Sequence, residues 1–260
     1  MSERTIQLAS GGGGLRALTM LVRGEAKMVI RDTAGLVIPV ALPLLILVMN
    51  AMSSSTDEEI VGGRTVLDIY VLPIVFAIVI ATIGIVNMPS FLTIYRKTGI
   101  LRRLAVTPVS PLTVLSAQVI VSLIQALLGL TIAFTVAAVA FDARLPIDLG
   151  PALGIVVLSI AAMYALGMVV ASLAPTPNAA IAIGLIVFFA IGALGGMFGG
   201  PDTLPDVIDR IGSVLPFGAS VDGLSAAWAG ETVPWRCWVS LAVTAVLGAG
   251  VAATTFRWDR

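Results

Sequence analysis

No histidine occurs in the 260 residues, and cysteine occurs once, at Cys237. The first absence removes imidazole general bases and His metal ligands together. The second removes any internal disulfide and any multi-cysteine metal site. Charge is scarce too, at 12% of the chain, against about 25% in soluble domains. A GxxxxGK[ST] loop is missing, so the chain has no means of its own to cradle ATP phosphates. Clustered Asp, Ser or Cys with an adjacent base, which a membrane enzyme would need, is missing as well. These absences leave no catalytic residue and no metal site to name. Formal net charge is zero, which argues neither for nor against nucleic acid, and no nucleic-acid partner is expected.

What is present is hydrocarbon. The chain is 58% hydrophobic with a mean hydropathy of +1.05. Crossing the ~30 Å apolar layer takes about 20 residues of helix. Six runs qualify: 34–52, 69–93, 112–141, 149–174, 179–198 and 237–256, and none holds Asp, Glu, Lys or Arg in its interior. Ion-coupled transporters usually keep an ionisable residue at membrane depth. Any uphill transport must therefore draw its energy from another chain.

The charges sort by side. Six spans put the N-terminus, segment 94–111, the 175–178 link and the C-terminus on one face. That face carries eleven of the fifteen Lys and Arg and four of the fifteen acids. Cations near span ends stay in the cytoplasm, so both termini are expected there, in a multi-pass plasma-membrane protein. Residues 1–14 read as a disordered cytoplasmic tail with no cleavable signal, and the Ala, Gly and Val richness hints at a bacterial source.

Leu15 to Asp32 reads as a helix lying in the membrane interface. Arg16, Arg23, Lys27 and Arg31 fall on one side, and Leu15, Leu18, Val22 and Val29 on the other. Glu25 and Asp32 lie on the apolar side. They are either acids at a ragged interface edge or partners for cations of another element, with 96–103 the nearest cluster. Asn87, Gln118, Ser122 and Gln125 are polar positions inside apolar runs. They either bond neighbouring helices or form a polar track beside a substrate path. Phe217, Val221, Leu224 and Trp228 recur at helical spacing in the longest outer loop. They predict one or two short helices resting on or dipping into the outer leaflet, or else a packed lid. Gly192, Gly195, Gly196, Gly199 and Gly200 give small-xxx-small pairs that let helices approach closely.

Between the second and third runs lies YRKTGILRRLAVTPVSP, with four cations and no acid. It reads as a short helix, with Thr107 pushed out of helical geometry by Pro108 and Pro111 opening the next span. Arg96, Lys97, Arg102 and Arg103 form a cationic side, and Leu101 and Leu104 an apolar docking edge. The order Arg96…Gly99-x-Leu101-x-Arg103-Leu104-x-x-Thr107-Pro108 resembles the membrane subunits of ATP-binding-cassette type-2 exporters, drug-resistance branch. Gly24-Glu25…Arg31-Asp32…Pro43 and Leu215-Pro216-Phe217…Gly223-Leu224 fit the same family. Lys97 departs from it, standing where that family often has an acid.

The resemblance implies an all-α integral membrane fold of six transmembrane helices. An N-terminal interfacial helix precedes them, and short re-entrant or interfacial helices precede the last span. Residues 15–260 would form a single six-span permease domain. It implies a coupling helix (Arg96, Gly99, Leu101, Arg102, Arg103, Leu104, Thr107, Pro108) seated in a separate cassette ATPase, and an interfacial helix (Arg23, Glu25, Arg31, Asp32) beside it. A second permease subunit, the same chain or a close paralogue, and membrane lipid are the other implied partners. ATP and Mg would belong to the ATPase, with no cofactor in this chain. A hydrophobic drug-like or lipid-like cargo suits the apolar spans, as in multidrug efflux and antibiotic resistance. The competing readings are a non-transporting anchor or sensor subunit and an integral-membrane lipid enzyme.

Overall fold

The computed structural model describes residues 13–52, 59–97, 111–198 and 205–255. Helix α1 (Gly13–Arg31) is followed by α2 (Thr33–Ala51) and a small hairpin of β1 (Glu59–Val61) and β2 (Arg64–Thr65). A long helix, α3, then runs in four pieces: Leu67–Val71, Leu72–Ala81, Thr82–Asn87 and Met88–Lys97. Next come α4 (Pro111–Phe141), α5 (Leu149–Leu173), α6 (Pro177–Leu194), α7 (Asp206–Val214), α8 (Pro216–Ala229) and α9 (Trp235–Thr255). The protein is all-α and integral to the membrane.

Among the described residues, five helices are long and apolar enough to cross a membrane: α3 over Leu67–Tyr95, α4 over Thr113–Phe141, α5, α6 and α9. Counting α1 and α2, which meet at a 60° bend, as one broken span gives six. The bend falls at Asp32, whose carboxylate Oδ1 accepts from the Gly35 amide at 3.1 Å and caps α2. Arg23, Lys27 and Arg31 of α1 are exposed, whereas α2 has no charged residue. At ~1.5 Å per residue, its 19 residues reach about 28 Å. α2 is thus the uncharged half of the bent pair and α1 the cationic half.

α3 is the axis of the bundle, with 89% of its most apolar window buried inside the protein. Two of its pieces, Leu67–Val71 and Thr82–Asn87, are π-helical. Each ends two residues before a proline, Pro73 and Pro89. Proline cannot donate the i→i−4 bond, and a local slip to wider turns absorbs the missing donor. The second π turn also marks where neighbours come closest. A Cβ at Gly167 of α5 would collide with the Gly84 carbonyl, and one at Gly184 of α6 would lie 2.5 Å from the Ile85 carbonyl. Three backbones meet there because glycine leaves room.

The segment before α9 is where the structure decides between two expectations, helices at the outer leaflet or a packed lid. Two short helices do form, α7 and α8, but the Phe217–Val221–Leu224–Trp228 stripe faces protein rather than lipid. All four are buried, Phe217 and Leu224 completely. Trp228 meets Phe76 of α3 edge-on, ring centroids 5.5 Å apart, and its indole N–H donates to the Arg144 carbonyl at 3.0 Å. Ser159 of α5 donates to Ser220 of α8 at 2.7 Å. α8 is therefore a plug in the core, and its helical periodicity gave no clue to which medium the apolar face meets. Of the glycine series, Gly192 and Gly195 make close intramolecular approaches to Met197 and Gly218; Gly199 and Gly200 lie outside the described residues.

Candidate functional site

The site is the end of the bundle where α1 lies across α3 and α4. Segment 98–110 lies outside the described residues, so Gly99, Leu101, Arg102, Arg103, Leu104, Thr107 and Pro108 lie outside them too. Its two anchors are described: α3 continues through Arg96 to an exposed Lys97, and α4 starts at Pro111.

α1 is fastened beside those anchors. Val29 of α1, Phe91 of α3 and Val121 of α4 form a small apolar cluster, joined by Val22, Ala26, Met28 and Ile94. Glu25 is buried beside it and takes a hydrogen bond from the Tyr95 hydroxyl. Its other oxygen, Oε2, has no partner among the described residues. Burial pushes the Glu25 carboxyl up to about 7. The alternatives for the two acids resolve differently: Asp32 caps α2, and Glu25 meets a tyrosine, one residue short of the cationic run. Nothing in the sequence joins Glu25 to a hydroxyl seventy positions away.

The four candidate path residues converge on helix contacts. Gln125 donates to the Gly35 carbonyl at 2.7 Å and Asn87 to the same oxygen at 2.5 Å. The reason is Pro39: it has no N–H to return to the carbonyl four residues earlier. In hydrocarbon such an orphan needs another donor, and two side-chain amides supply it. Gln118 and Ser122, both buried on the same face, make a marginal 3.5 Å contact with each other. None of the four lines a described cavity. The signal for the Gly35 cluster was in the sequence: Pro39 names the carbonyl, and polar residues in apolar runs supply the donors.

Two of the cavities among the described residues lie elsewhere. One, of about 290 Å³, lies at the hairpin end and includes Tyr70, Asp209, Asp222, Glu231 and Arg236. Arg236 and Asp222 are ion-paired at 3.0 Å across its wall. The other, of about 820 Å³, is an apolar groove among α4, α5 and α9, with Met88 at its base.

The profile of the ABC-2 family transporter proteins matches residues 62–257. That is three quarters of the chain, from the hairpin through α9. The chain belongs to the ABC-2 transporter family. No curated protein matches it. As an ABC-2 family member it is a multi-pass membrane component of a transporter, a family whose membrane subunits are generally non-catalytic and act with an ATPase. The match begins after α1 and α2, so the interfacial helix lies outside it and stands on its own contacts.

Proposed function

We propose that this protein is the permease subunit of an exporter of the drug-resistance branch, moving a hydrophobic drug-like or lipid-like solute out of the cytoplasm. The observation that carries the proposal is the family match across 62–257. The basic segment between α3 and α4 sits inside that match, at the span junction where an ATPase would couple. Residues 96–108 are the coupling helix, and both termini are cytoplasmic. The energy source is a separate ATPase pair holding ATP and Mg. Two permease copies, or one copy and a paralogue, complete the transporter. Closure of the ATPase pair moves the coupling helices, and α1 follows because its apolar cluster and Glu25 fasten it to α3 and α4.

Leu104→Asp tests the coupling. Exposed ion pairs give only ~0–1 kcal/mol, so shape and the apolar edge dominate docking; a carboxylate there would cost a few kcal/mol. The expected outcome is normal membrane level with ATPase co-purification and export of labelled hydrophobic compounds both lost. Arg102→Gln should be milder, altering salt sensitivity. Retention of complex and export by Leu104→Asp would refute the assignment. Orientation has its own check in a Cys237-replaced background: an impermeant maleimide should label Ser54→Cys and Asp202→Cys in intact cells but not Thr98→Cys.

A further inference from the structure

Two buried oxygens, Glu25 Oε2 of α1 and Gln118 Oε1 of α4, have no hydrogen-bond partner among the described residues. The two residues are 4% and 0% exposed, and buried polar atoms are normally satisfied. Register brings them to one level. α1 packs along α4. Gln125 of α4 reaches the Gly35 carbonyl, and Val121, one turn earlier, clusters with Val29 of α1 and Phe91 of α3. One further turn back along α4 is Gln118, on the face that Val121 and Gln125 share. The same step leads back along α1 to Glu25 and forward along α3 to Tyr95. The Tyr95 hydroxyl donates to Glu25 Oε1, so α1 and α3 do meet at this turn, where Gln118 is the buried polar residue of α4.

Both orphans are acceptors, so neither can satisfy the other while Glu25 is ionised. Gln118 Nε2 faces Ser122 Oγ at 3.5 Å, which leaves Oε1 as the free end of the amide. No described cation answers them. Arg23, Lys27 and Arg31 of α1 and Lys97 of α3 are exposed, and Glu25 has no ion pair among the described residues. The Arg96 side chain lies outside those residues. Asp32 is committed to the α2 cap, and neither α2 nor α4 contains a titratable residue. A single hydrogen between the two oxygens would satisfy both. Burial pushes the Glu25 carboxyl up to about 7, so that hydrogen is available near neutrality.

We propose that the protonated Glu25 carboxyl donates from Oε2 to Gln118 Oε1, a clasp between α1 and α4 that closes with one proton and opens when that proton is lost to water. The Tyr95 bond to Oε1 persists in both states, so α1 loosens from α4 while it stays tethered to α3. That this loosening reaches an ATPase rests on the exporter reading; the clasp itself does not.

The chain has three glutamines, Gln7, Gln118 and Gln125, so labelling their side-chain carbonyls with carbon-13 gives a short spectrum. The test titrates the labelled full chain in phospholipid nanodiscs, without an ATPase, from pH 5 to 9. A hydrogen bond received at a carbonyl oxygen moves its carbon signal downfield. The Gln118 signal should move downfield on acidification with a midpoint near 7. The Gln125 signal should stay put, and Glu25→Gln should abolish the Gln118 movement. Hydrogen exchange is the second readout. Corrected for the intrinsic rate, amides from Val22 to Val29 should be about 2- to 10-fold better protected at pH 6 than at pH 8, the equivalent of one hydrogen bond. Gln118→Leu, close in volume, should hold protection at the pH 8 level throughout. Glu25→Gln, whose amide can donate to Gln118 at any pH, should hold it at the pH 6 level. An upfield movement on acidification would mean that the Gln118 amide donates to the carboxylate, which overturns the proposal. So would a Gln118 signal indifferent to pH, the mark of a bridging water or of a side chain out of reach. Protection that still depends on pH in Gln118→Leu would place the proton's effect elsewhere and equally overturn it. None of these outcomes bears on ATPase co-purification, so the two readings fail separately.

Discussion

Asp68 and Glu25 are buried carboxyls at opposite ends of α3, 1% and 4% exposed, and they are held in opposite ways. Asp68 Oδ1 accepts from the Arg144 amide at 2.8 Å, and Oδ2 from the Thr65 amide at 3.2 Å. Both oxygens are used, and the bonds tie α3 to the hairpin and to the α4–α5 turn. Glu25 has one donor, the Tyr95 hydroxyl, and one oxygen with no described partner. A saturated carboxylate fixes geometry; a half-satisfied one has an alternative state, the protonated one. The hairpin end is thus built as a lock, and the α1 end, beside the segment proposed for coupling, as a joint held through one carboxylate oxygen.

Breaking the lock should have the larger effect. Asp68→Ala leaves two backbone amides without their acceptor, at about 1.5–3 kcal/mol for each bond to a charged group. A destabilisation of order 3–5 kcal/mol is expected, read as lower membrane level and lower thermal stability of the purified protein. Asp68→Asn keeps one acceptor and should fall between. If Asp68→Ala matched the wild type, the hairpin end would not be the rigid one.

The joint should respond less, and conditionally. Tyr95→Phe removes the only described partner of Glu25. Near pH 8, with the carboxyl ionised, the loss should be about 1.5–3 kcal/mol; near pH 5.5, with it protonated, about 0.5–1.5 kcal/mol. Thermal unfolding at the two pH values measures the difference, and an equal loss at both would show that the proton is irrelevant to the contact.

The two regions also differ in how far the sequence foretold them. Spans are readable because hydrocarbon demands about 20 apolar residues without charge, and 69–93, 149–174 and 179–198 match α3, α5 and α6 within a few positions. The first helix was readable from its cationic stripe. Partners across long separations were not: Glu25 with Tyr95, or Asp68 with Arg144, carry no periodic signal. The α8 stripe was readable as a helix but left its surroundings open between lipid and a packed lid, because inside a bilayer lipid and protein interior are equally apolar. Only the Gly35 cluster had a local cue, in Pro39, since a proline announces which carbonyl it orphans.

The smallest effect is a slope. Burial raises the Glu25 carboxyl from 4.5 to about 7 in the fold. Between those values the folded chain holds a proton that the unfolded chain has released, so folding is favoured by acid. The stabilisation is complete below about pH 4.5 and is lost as pH rises through about 7. One proton changes stability by at most ~1.4 kcal/mol per pH unit. Asp222 is raised from 3.8, chiefly by burial, with Arg236 pulling it down and Asp209 pushing it up. It adds a slope of the same sign, so the informative quantity is the difference between wild type and Glu25→Gln. Glutamine keeps an acceptor for the Tyr95 hydroxyl and has no proton to lose. Its melting temperature should therefore change less than the wild type's from pH 5 to 8, with the curves meeting at the acid end. Parallel curves across that range would mean that Glu25 keeps the same charge throughout, and the joint would then be another lock.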